Sequence, residues 1–312
     1  MEEMLWTEKY RPEKIDDCIL PESIKDSFKK YVASGSLPNL LLTGGPGVGK
    51  TTVALAAVRE LGADVMVINA SLNGNIDTLR NEITQFASSV SFSGGRKYVI
   101  LDEADYLNPN STQPSLRNFI ESFSKNCGFI LTCNYPNRII EPIHSRLITV
   151  DFTVSPEERP YMMAAFSKRA RQILDAEGVQ HDRDVVSLHV ARGFPDWRRV
   201  INSLQHHAVR GKIGTESLAS SKTDFTVLVD AMRAKKFGDV ISWVASNSAD
   251  LDHQGLIREF YDHVSGLVAD DSDAATLVVL LSKYQYQASV AADPEINTTA
   301  MLVEIAAECN FK

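Results

Sequence analysis

The sequence predicts an α/β fold in which a domain with a parallel β-sheet is followed by a helical second half. Three observations predict this fold class. Short apolar segments alternate with amphipathic segments in the first half, a glycine-rich loop directly follows the first apolar segment, and nothing after Ser155 resembles a strand-rich region. A chain of 312 residues, 44% of them hydrophobic, is long enough for two or three folded domains.

The predicted strands are five short apolar segments. Three of them, at Leu40–Leu42, Val65–Ile68 and Val99–Leu101, show no polar alternation, which is typical of strands covered on both faces. We therefore expect a central sheet with helices on both sides. The predicted strands are Asn39–Thr43, Val65–Asn69, Tyr98–Asp102, Phe129–Asn134 and Leu147–Phe152.

The segment Gly44–Thr52 carries a complete phosphate-loop motif between the first strand and a predicted helix. Its glycines let the backbone wrap phosphates, and the loop amides and helix N-terminus supply positive potential. Lys50 is expected to reach the terminal phosphates and Thr51 to bind magnesium. The motif predicts a nucleotide site, because an accidental glycine turn would not fill every fixed position.

Two acids end the third predicted strand. We expect Asp102 to hold the metal through water and Glu103 to polarise an attacking water molecule. The alternative is that these acids only cap the next helix, and Asp105 is the residue that we expect to do so.

Two other polar residues lie near strand ends. Asn134 ends the fourth strand, where its amide can hydrogen-bond a terminal phosphate or the attacking water, although an asparagine there is often only a turn former. Arg146 precedes the last strand, and its position alone favours an ordinary solvated arginine.

The second half is expected to form two helical units. Ser155 and Pro156 indicate a helix start, with a capping residue and a proline in the first helical position. The polar stretch Gly211–Asp224 is predicted to connect the units, and Ala300–Phe311 has an apolar helical pattern. The predicted domains cover residues 1–153, 154–222 and 223–312.

Composition excludes several classes of protein. No apolar run is long enough to span a membrane and the start Met1–Glu3 is acidic, so we expect a cytoplasmic protein. Cys18, Cys127, Cys133 and Cys309 lack paired spacing, which predicts buried thiols without a zinc site or disulfide. Because a net charge of -8 repels nucleic acid on average, any contact with DNA must come from a local basic surface or from helix N-termini and backbone amides.

Taken together, these motifs resemble the AAA+ sliding-clamp-loader subunits. The chain resembles replication factor C small subunits more than the bacterial type, because it lacks the zinc-binding cysteines of the bacterial type. Asp16–Pro21 and Phe86–Phe92 look most like the large subunits of phage members of the family. The segments that carry the family resemblance are Trp6–Pro12, Gly44–Thr52, Asp102–Asp105, Asn134–Pro136, Ile140–Arg146 and Asp196–Arg199.

The resemblance implies an AAA+ domain, a helical lid over residues 154–222 and an all-α collar over residues 223–312, with ATP and Mg²⁺ as cofactors. It implies that the N-terminal segment and Ile19 lie along the adenine and ribose. The implied nucleotide contacts are Thr7, Glu8, Lys9, Tyr10, Ile19, Gly47, Val48, Gly49, Lys50, Thr51, Thr52 and Arg198.

The resemblance also assigns roles to three arginines. Arg146 matches an arginine that acts in trans on the neighbouring subunit's site, although Leu147 replaces the cysteine of the family motif. Arg198 matches a sensor on the lid, and the adjacent Arg199 is the weaker candidate.

Asn110–Arg117 resembles the family's central coupling helix, to which Gln113 and Arg117 are carried over, with Pro114 read as its first turn. Phe119 and Phe123 share one face of that helix, and either pack in the core or meet the clamp. Arg80 and Asn81 are expected ahead of a helix, facing DNA phosphates, although a solvated arginine is the alternative.

The function implied by the resemblance is an ATPase that works in a multi-subunit spiral. Its expected partners are copies of itself, a distinct small clamp-loader subunit, a sliding clamp and primer-template DNA read without sequence preference. Three alternatives stay open: a branch-migration-like AAA+ motor, an ATP-binding scaffold subunit with little hydrolysis, and an unrelated P-loop ATPase. For a phage-encoded protein, the host cytoplasm is the expected location.

Overall fold

The computed structural model describes residues 5–72, 76–91, 95–209, 211–214, 225–248, 251, 253–288 and 290–312. The chain divides into two units, Met1–Thr215 and Glu216–Lys312. The acidic start Met1–Glu3, the end of the segment Phe86–Phe92 and most of the predicted connection Gly211–Asp224 lie outside the described residues. The three domain boundaries therefore stay predictions.

The first unit is built on a parallel sheet with the strand order β2-β3-β4-β1-β5. All five predicted strands are confirmed, with ends that shift by one or two residues. Because every strand runs in the same direction, their carboxyl ends meet at one edge of the sheet. The strands are β1 Leu40–Thr43, β2 Val65–Asn69, β3 Lys97–Asp102, β4 Cys127–Cys133 and β5 Ile148–Asp151.

Alternate residues of the central strands enter two separate cores. Val99 and Leu101 pack in one core, and Tyr98 and Ile100 pack in the other, all of them at most 1% exposed. Side chains of successive strand residues point to opposite faces, so an uninterrupted apolar strand requires cover on both. The predicted cover on both faces is confirmed for the strands β1, β3 and β4.

Strand β2 departs from that prediction. Val67 is 48% exposed, and its neighbours Val65 and Met66 are only half-buried. The reason is the strand order, which places β2 at the edge of the sheet.

Helices of the first unit cover the sheet and continue into the region after residue 158. Residues 156–158 form a turn, so the helix predicted at Pro156 begins instead at Arg159 and carries Pro160 in its first turn. The helices are α1 Trp6–Lys9, α2 Glu22–Ala33, α3 Lys50–Glu60, α4 Ile76–Ser88, α5 Thr112–Ser122, α6 Glu141–His144, α7 Arg159–Ala176, α8 Arg183–Gly193 and α9 Trp197–Ala208.

The region predicted to be wholly helical contains a small strand pair. Gln180–His181 (β6) and Lys212–Ile213 (β7) run parallel to each other. In the same region, the ring of Trp197 on α9 stacks on the ring of Phe166 on α7, with centroids 4.1 Å apart. This aromatic contact fixes the start of α9 against α7.

The second unit is helical, and its core includes Phe260, Leu277, Met301 and Leu302. The predicted helical tail is confirmed up to Glu308, in a last helix that begins already at Pro294, whereas Phe311 forms a single β-bridge with Val268. The helices are α10 Phe225–Arg233, α11 Phe237–Asn247, α12 His253–Asp262, α13 Val264–Leu267, α14 Asp271–Ala288 and α15 Pro294–Glu308.

The cysteine side chains are buried, as predicted. Burial raises the pKa of Cys18 and of Cys133 to about 12. Among the residues that the structure describes, no helix is long and apolar enough to cross a membrane.

Candidate nucleotide site

The loop between β1 and α3 requires glycine for conformational reasons. Gly47 and Gly49 have φ angles of 67° and 98°, in the left-handed region that other residues rarely adopt. Gly47 also has no room for a side chain, since a Cβ atom there would lie 1.7 Å from Asp196 Oδ1. Gly47 therefore packs directly against Asp196, and α3 begins at Lys50.

Lys50 is held at the centre of this loop. Its Nζ donates hydrogen bonds to Gly44 O at 2.8 Å, Gly45 O at 2.7 Å and Asn134 Oδ1 at 2.9 Å. Burial lowers the pKa of Lys50, and the charges of Asp102 and Asp105 oppose that shift. The first residue of α3 is thereby tied to the end of β4.

Asp102 joins three elements. Its Oδ1 accepts hydrogen bonds from Thr51 Oγ1 and from Thr132 Oγ1, each at 2.6 Å. Thr132 Oγ1 in turn accepts a hydrogen bond from the backbone N–H of Glu103 at 3.1 Å. The start of α3 and the ends of β3 and β4 therefore present oxygen atoms at one point.

Glu103 adopts a left-handed backbone conformation, with a φ of 57°. This conformation is uncommon for a residue other than glycine, asparagine or aspartate, and it persists only when the surroundings fix it. The hydrogen bond to Thr132 Oγ1 contributes to that constraint. Glu103 lines the same cavity as Asp102 and Lys50.

Asp105 does not cap a helix, so that prediction was wrong. It lies in the short 3₁₀ turn Ala104–Tyr106, is 5% exposed, and accepts hydrogen bonds at Oδ2 from the backbone N–H groups of Asn134 and Tyr135, at 3.2 and 3.1 Å. The turn brings the acid back against the end of β4, and the next α-helix begins only at Thr112.

The phosphate loop opens into a cavity of about 390 Å³. Its wall contains most of the residues predicted to contact nucleotide, together with Asn134, Asp102 and Glu103. The predicted residues on the wall are Thr7, Glu8, Tyr10, Ile19, Gly47, Val48, Gly49, Lys50, Thr51, Thr52 and Arg198.

Lys9 is the exception among the predicted nucleotide contacts. Its Nζ lies 2.7 Å from Glu177 Oε1, and Tyr10 Oη donates to the same oxygen at 2.6 Å. The side chain of Lys9 thus joins α1 to the residue after α7, and Lys9 does not belong to the cavity wall.

Helix α9 closes one side of the cavity. Its first residue, Trp197, donates its backbone N–H to Gly47 O at 3.1 Å, and Arg198 lines the cavity. Arg199 donates its backbone N–H to Asp196 Oδ1 at 3.0 Å, which caps the helix. Of these two adjacent arginines, Arg198 lines the cavity and Arg199 does not.

Sequence reasoning missed several polar residues of the wall, among them Asn69 and Arg169. Asn69 ends β2 beside Asp102 in the strand register. A polar residue at a predicted strand end was the signal that could have identified Asn69, as it identified Asn134. Arg169 lies within α7 and carries no such signal.

Arg146 does not line the cavity of its own chain. Its Nε donates to Glu121 Oε1 at 2.6 Å, and a second guanidinium nitrogen forms an ion pair with the same carboxylate. Its Nη1 donates to Pro142 O at 2.6 Å. Helix α5 and the segment before β5 are joined by this contact.

Gln113 is fully buried in the first turn of α5, where Pro114 also lies, as predicted. Its Nε2 donates to Leu107 O and Arg138 O, and its Oε1 accepts from the backbone N–H of Ile140, all between 2.8 and 3.0 Å. The segment at Leu107 and the segment 138–140 therefore meet at this one amide of α5.

The sequence also singled out Arg117 and Phe119 on α5 and Phe123 directly after it. Arg117 is exposed. The rings of Phe119 and Phe123 stack with centroids 6.3 Å apart and pack half-buried against the core on that side of the sheet. Core packing, the alternative that the sequence favoured for these rings, agrees with this position.

Arg80 and Asn81 do not lie ahead of a helix, so that prediction was wrong. Helix α4 begins at Ile76, and both residues lie exposed within it. The prediction placed the helix start too late. The buried residues of the helix, Leu79 and Ile83, already begin before Arg80.

Two protein families match the first unit. Residues 40–154 match the ATPase family associated with various cellular activities (AAA), and residues 158–219 match the AAA+ ATPase lid domain of the sliding-clamp-loader large subunit.

Relatives match the chain over nearly its full length. The sliding-clamp-loader large subunits of Enterobacteria phage T4 and Escherichia phage RB69 are 31% and 32% identical, over 99% of this chain and 98% of theirs. A replication factor C small subunit from Sulfurisphaera tokodaii is 33% identical, over 98% of this chain and 96% of its own.

A solved structure similar in fold is the Thermotoga maritima RuvB Holliday junction branch migration motor. Its TM-score is 0.58 at 17% identity, over 86% of this chain and 85% of that one. At this identity, the likeness concerns the fold alone.

Proposed function

Because this chain belongs to the family of AAA+ sliding-clamp-loader subunits, we propose that it opens a DNA polymerase processivity clamp and places it on primer-template DNA. The chain is an ATPase, and ATP drives the loading of the clamp. The observation that carries this proposal is the similarity to clamp-loader subunits over 98–99% of the chain.

ATP binds in the cavity between the phosphate loop, α1 and α9. The loop amides and the N-terminus of α3 receive the phosphates, and the Lys50 ammonium pairs with the terminal ones. Thr7, Tyr10 and Ile19 line the part of the cavity that would take the base and ribose. Gly47 allows the phosphates to approach the backbone closely.

Magnesium fits the residues beside Lys50. Thr51 Oγ1 and Asp102 Oδ1 are hard oxygen donors 2.6 Å apart, the ligand type that Mg²⁺ prefers. Thr51 would bind the ion directly and Asp102 through water. A bound Mg²⁺ would neutralise negative charge on the phosphate oxygens.

Glu103 and Asn134 act on the attacking water and the terminal phosphate. The Glu103 carboxylate orients the water and accepts its proton as ATP is hydrolysed to ADP and phosphate. The Asn134 amide, already within 2.9 Å of Lys50 Nζ, hydrogen-bonds the terminal phosphate or that water. Lys50 stabilises the charge that develops on the transferred phosphoryl group.

Arg146 completes the site of a neighbouring subunit. Its position outside the cavity of its own chain supports a role in trans, and Glu121 and Pro142 O hold its guanidinium outside that cavity. An arginine in trans stabilises transition-state charge only when the subunits close on each other. ATP binding would thereby favour a closed spiral, which hydrolysis would release.

The remaining parts connect the site to its partners. Arg198 senses nucleotide from a lid over residues 154–222, and residues 223–312 form a collar that joins copies of the chain to a distinct small subunit. Gln113 and Arg117 couple the site to the clamp and to DNA, whose backbone is read without sequence preference.

The test is steady-state ATP hydrolysis by the chain assembled with its small partner subunit. The assay compares no addition, clamp alone, primed DNA alone and both together. We expect synergistic stimulation by the clamp and primed DNA together. A rate raised by DNA alone and indifferent to the clamp would contradict clamp loading and indicate another DNA-dependent AAA+ motor.

A further inference from the structure

Asp105 is a buried carboxylate to which the proposed hydrolysis assigns no role. It is 5% exposed and lies three residues after Asp102, in the turn Ala104–Tyr106. A buried carboxylate is costly unless hydrogen bonds compensate for the lost water. The groups that compensate it therefore indicate what its position serves.

Those groups belong to the end of β4. Asp105 Oδ2 accepts the backbone N–H groups of two consecutive residues, Asn134 at 3.2 Å and Tyr135 at 3.1 Å. The other oxygen, Oδ1, is buried and has no hydrogen-bond partner among the described residues. The orientation of this carboxylate is thus set by the backbone that carries the Asn134 side chain.

The Asn134 side chain continues the same connection to the phosphate loop. Its Oδ1 accepts a hydrogen bond from Lys50 Nζ at 2.9 Å, and Lys50 also donates to two loop carbonyls. A rotation of the backbone at Asn134 would move this amide relative to Lys50. Two hydrogen bonds to one charged group restrict that rotation more than a single neutral one would.

We propose that Asp105 is a positioning residue for ATP hydrolysis, which fixes the backbone at Asn134 and Tyr135 so that the Asn134 amide is held beside Lys50. The inference rests on the role that the proposed function gives to Asn134. Asp105 itself touches neither the nucleotide nor the attacking water. Its effect on catalysis passes through Asn134.

The test is a double-mutant cycle with Asp105→Asn and Asn134→Ala in the full-length, assembled protein. Asparagine keeps the size of the side chain but removes the charge, so the two backbone N–H groups that now share Oδ2 would meet a weaker, neutral acceptor. We expect Asp105→Asn to lower kcat about tenfold, because small displacements of a catalytic group are costly. The dissociation constant for ATP should change much less.

The second arm of the cycle separates positioning from general destabilisation. In the Asn134→Ala background, Asp105→Asn should change kcat by less than about twofold, while it lowers Tm by the same amount in both backgrounds. An equal loss of kcat in both backgrounds, or no loss in the wild-type background, would overturn the proposal.

A matched control and a second variant complete the design. Asp151 Oδ1 likewise accepts a backbone N–H after a strand, that of Thr153 at 3.0 Å, but Asp151 lies outside the cavity wall, so Asp151→Asn should leave kcat unchanged. If Asp105→Asn does not fold, Asp105→Glu displaces the carboxylate with its charge kept, and it should show the same dependence on Asn134.

Failure of the proposed site has a different signature. If Asn134→Ala alone hydrolyses ATP at the wild-type rate, the role of Asn134 is wrong, and that result overturns this inference as well. If the cycle behaves as expected but the clamp and primed DNA do not stimulate hydrolysis, clamp loading is wrong and the positioning role of Asp105 stands.

Discussion

The guanidinium of Arg146 and the carboxylate of Glu121 form an ion pair, with Nε donating to Oε1 at 2.6 Å. The pair lies outside the chain's own cavity and joins α5 to the segment before β5. Helix α5 also carries Gln113 in its first turn, where the buried amide joins the segment at Leu107 to the segment 138–140. One short helix therefore holds both the proposed trans arginine and the proposed coupling residue.

Arg146→Ala should abolish ATP hydrolysis in the assembled complex and leave ATP binding nearly intact. Arg146 is outside the cavity that binds ATP on its own chain, so its removal does not alter the binding surface. Removal of an arginine in trans costs roughly 10³-fold or more in kcat in related chemistry. Hydrolysis and nucleotide affinity are measured on the same preparation, and a normal hydrolysis rate would rule out the trans role.

Glu121→Gln should lower kcat less than Arg146→Ala does. The neutral amide still accepts one hydrogen bond but loses the charge that holds the guanidinium, so the arginine is present but less ordered. We expect a loss of about tenfold at most, against Arg146→Ala as the reference. If both variants lose the same activity, Glu121 does more than orient the arginine.

Glu103→Gln should bind ATP normally and trap a complex with the clamp and primed DNA. The amide keeps the shape of the side chain but cannot accept a proton from the attacking water. The complex is detected by co-elution of clamp, DNA and subunit in the presence of ATP. Rapid release of the clamp by this variant would show that another group accepts the proton.

Gly47→Ala should weaken nucleotide binding, whereas Gly45→Ala should change it little. A Cβ at Gly47 would meet Asp196 Oδ1 at 1.7 Å, and the residue has a φ of 67°. Gly45 has open space at its Cβ position and no positive φ, so the second variant is a matched control in the same loop. ATP titration of both variants measures the difference, and equal affinities would show that α9 moves away without cost.

Acidification should destabilise the first unit through His189. Burial, with the nearby charges of His207 and Arg192, lowers the pKa of His189 from 6.5 to about 4. The folded state therefore favours the neutral ring, and the stability it contributes is complete above pH 6.5 and is lost as the pH falls towards 4. The expected loss in the free energy of unfolding approaches ~1.4 kcal/mol per pH unit for one proton.

The measurement for His189 is urea unfolding at several pH values across that window. His189→Gln removes the titrating ring and should flatten the dependence of the free energy of unfolding on pH. The control is His144→Gln, because His144 is half-buried but does not belong to the group formed by His189, His207 and Arg192. An unchanged slope in the His189 variant would assign the acid sensitivity to other groups.

Much of the site was predictable because its chemistry is local in the chain. A loop such as Gly44–Thr52 must contain its glycines, lysine and threonine consecutively, and Asp102, Glu103 and Asn134 follow apolar strands whose carboxyl ends meet at one edge. The strand pattern and the parallel arrangement follow from the same local rules. Residues 46–52 of the loop line a single cavity together with Asp102, Glu103 and Asn134.

The differences between expectation and structure have a common physical origin in long-range partners. The exposure of Val67 depends on which strand lies at the edge of the sheet, and Lys9 meets a partner at Glu177 that no local pattern identifies. Asp105 has the composition of a helix cap, but its amide partners come from another strand. These positions are decided by tertiary packing.

The close approach of Asp196 to Gly47 couples two distant positions of the sequence. A homologue with any larger residue at the loop position would need a shorter residue at the start of the lid helix, and a helix start without Asp196 would lose its cap. We therefore expect the two positions to co-vary across the family, so that neither residue can be exchanged independently of the other.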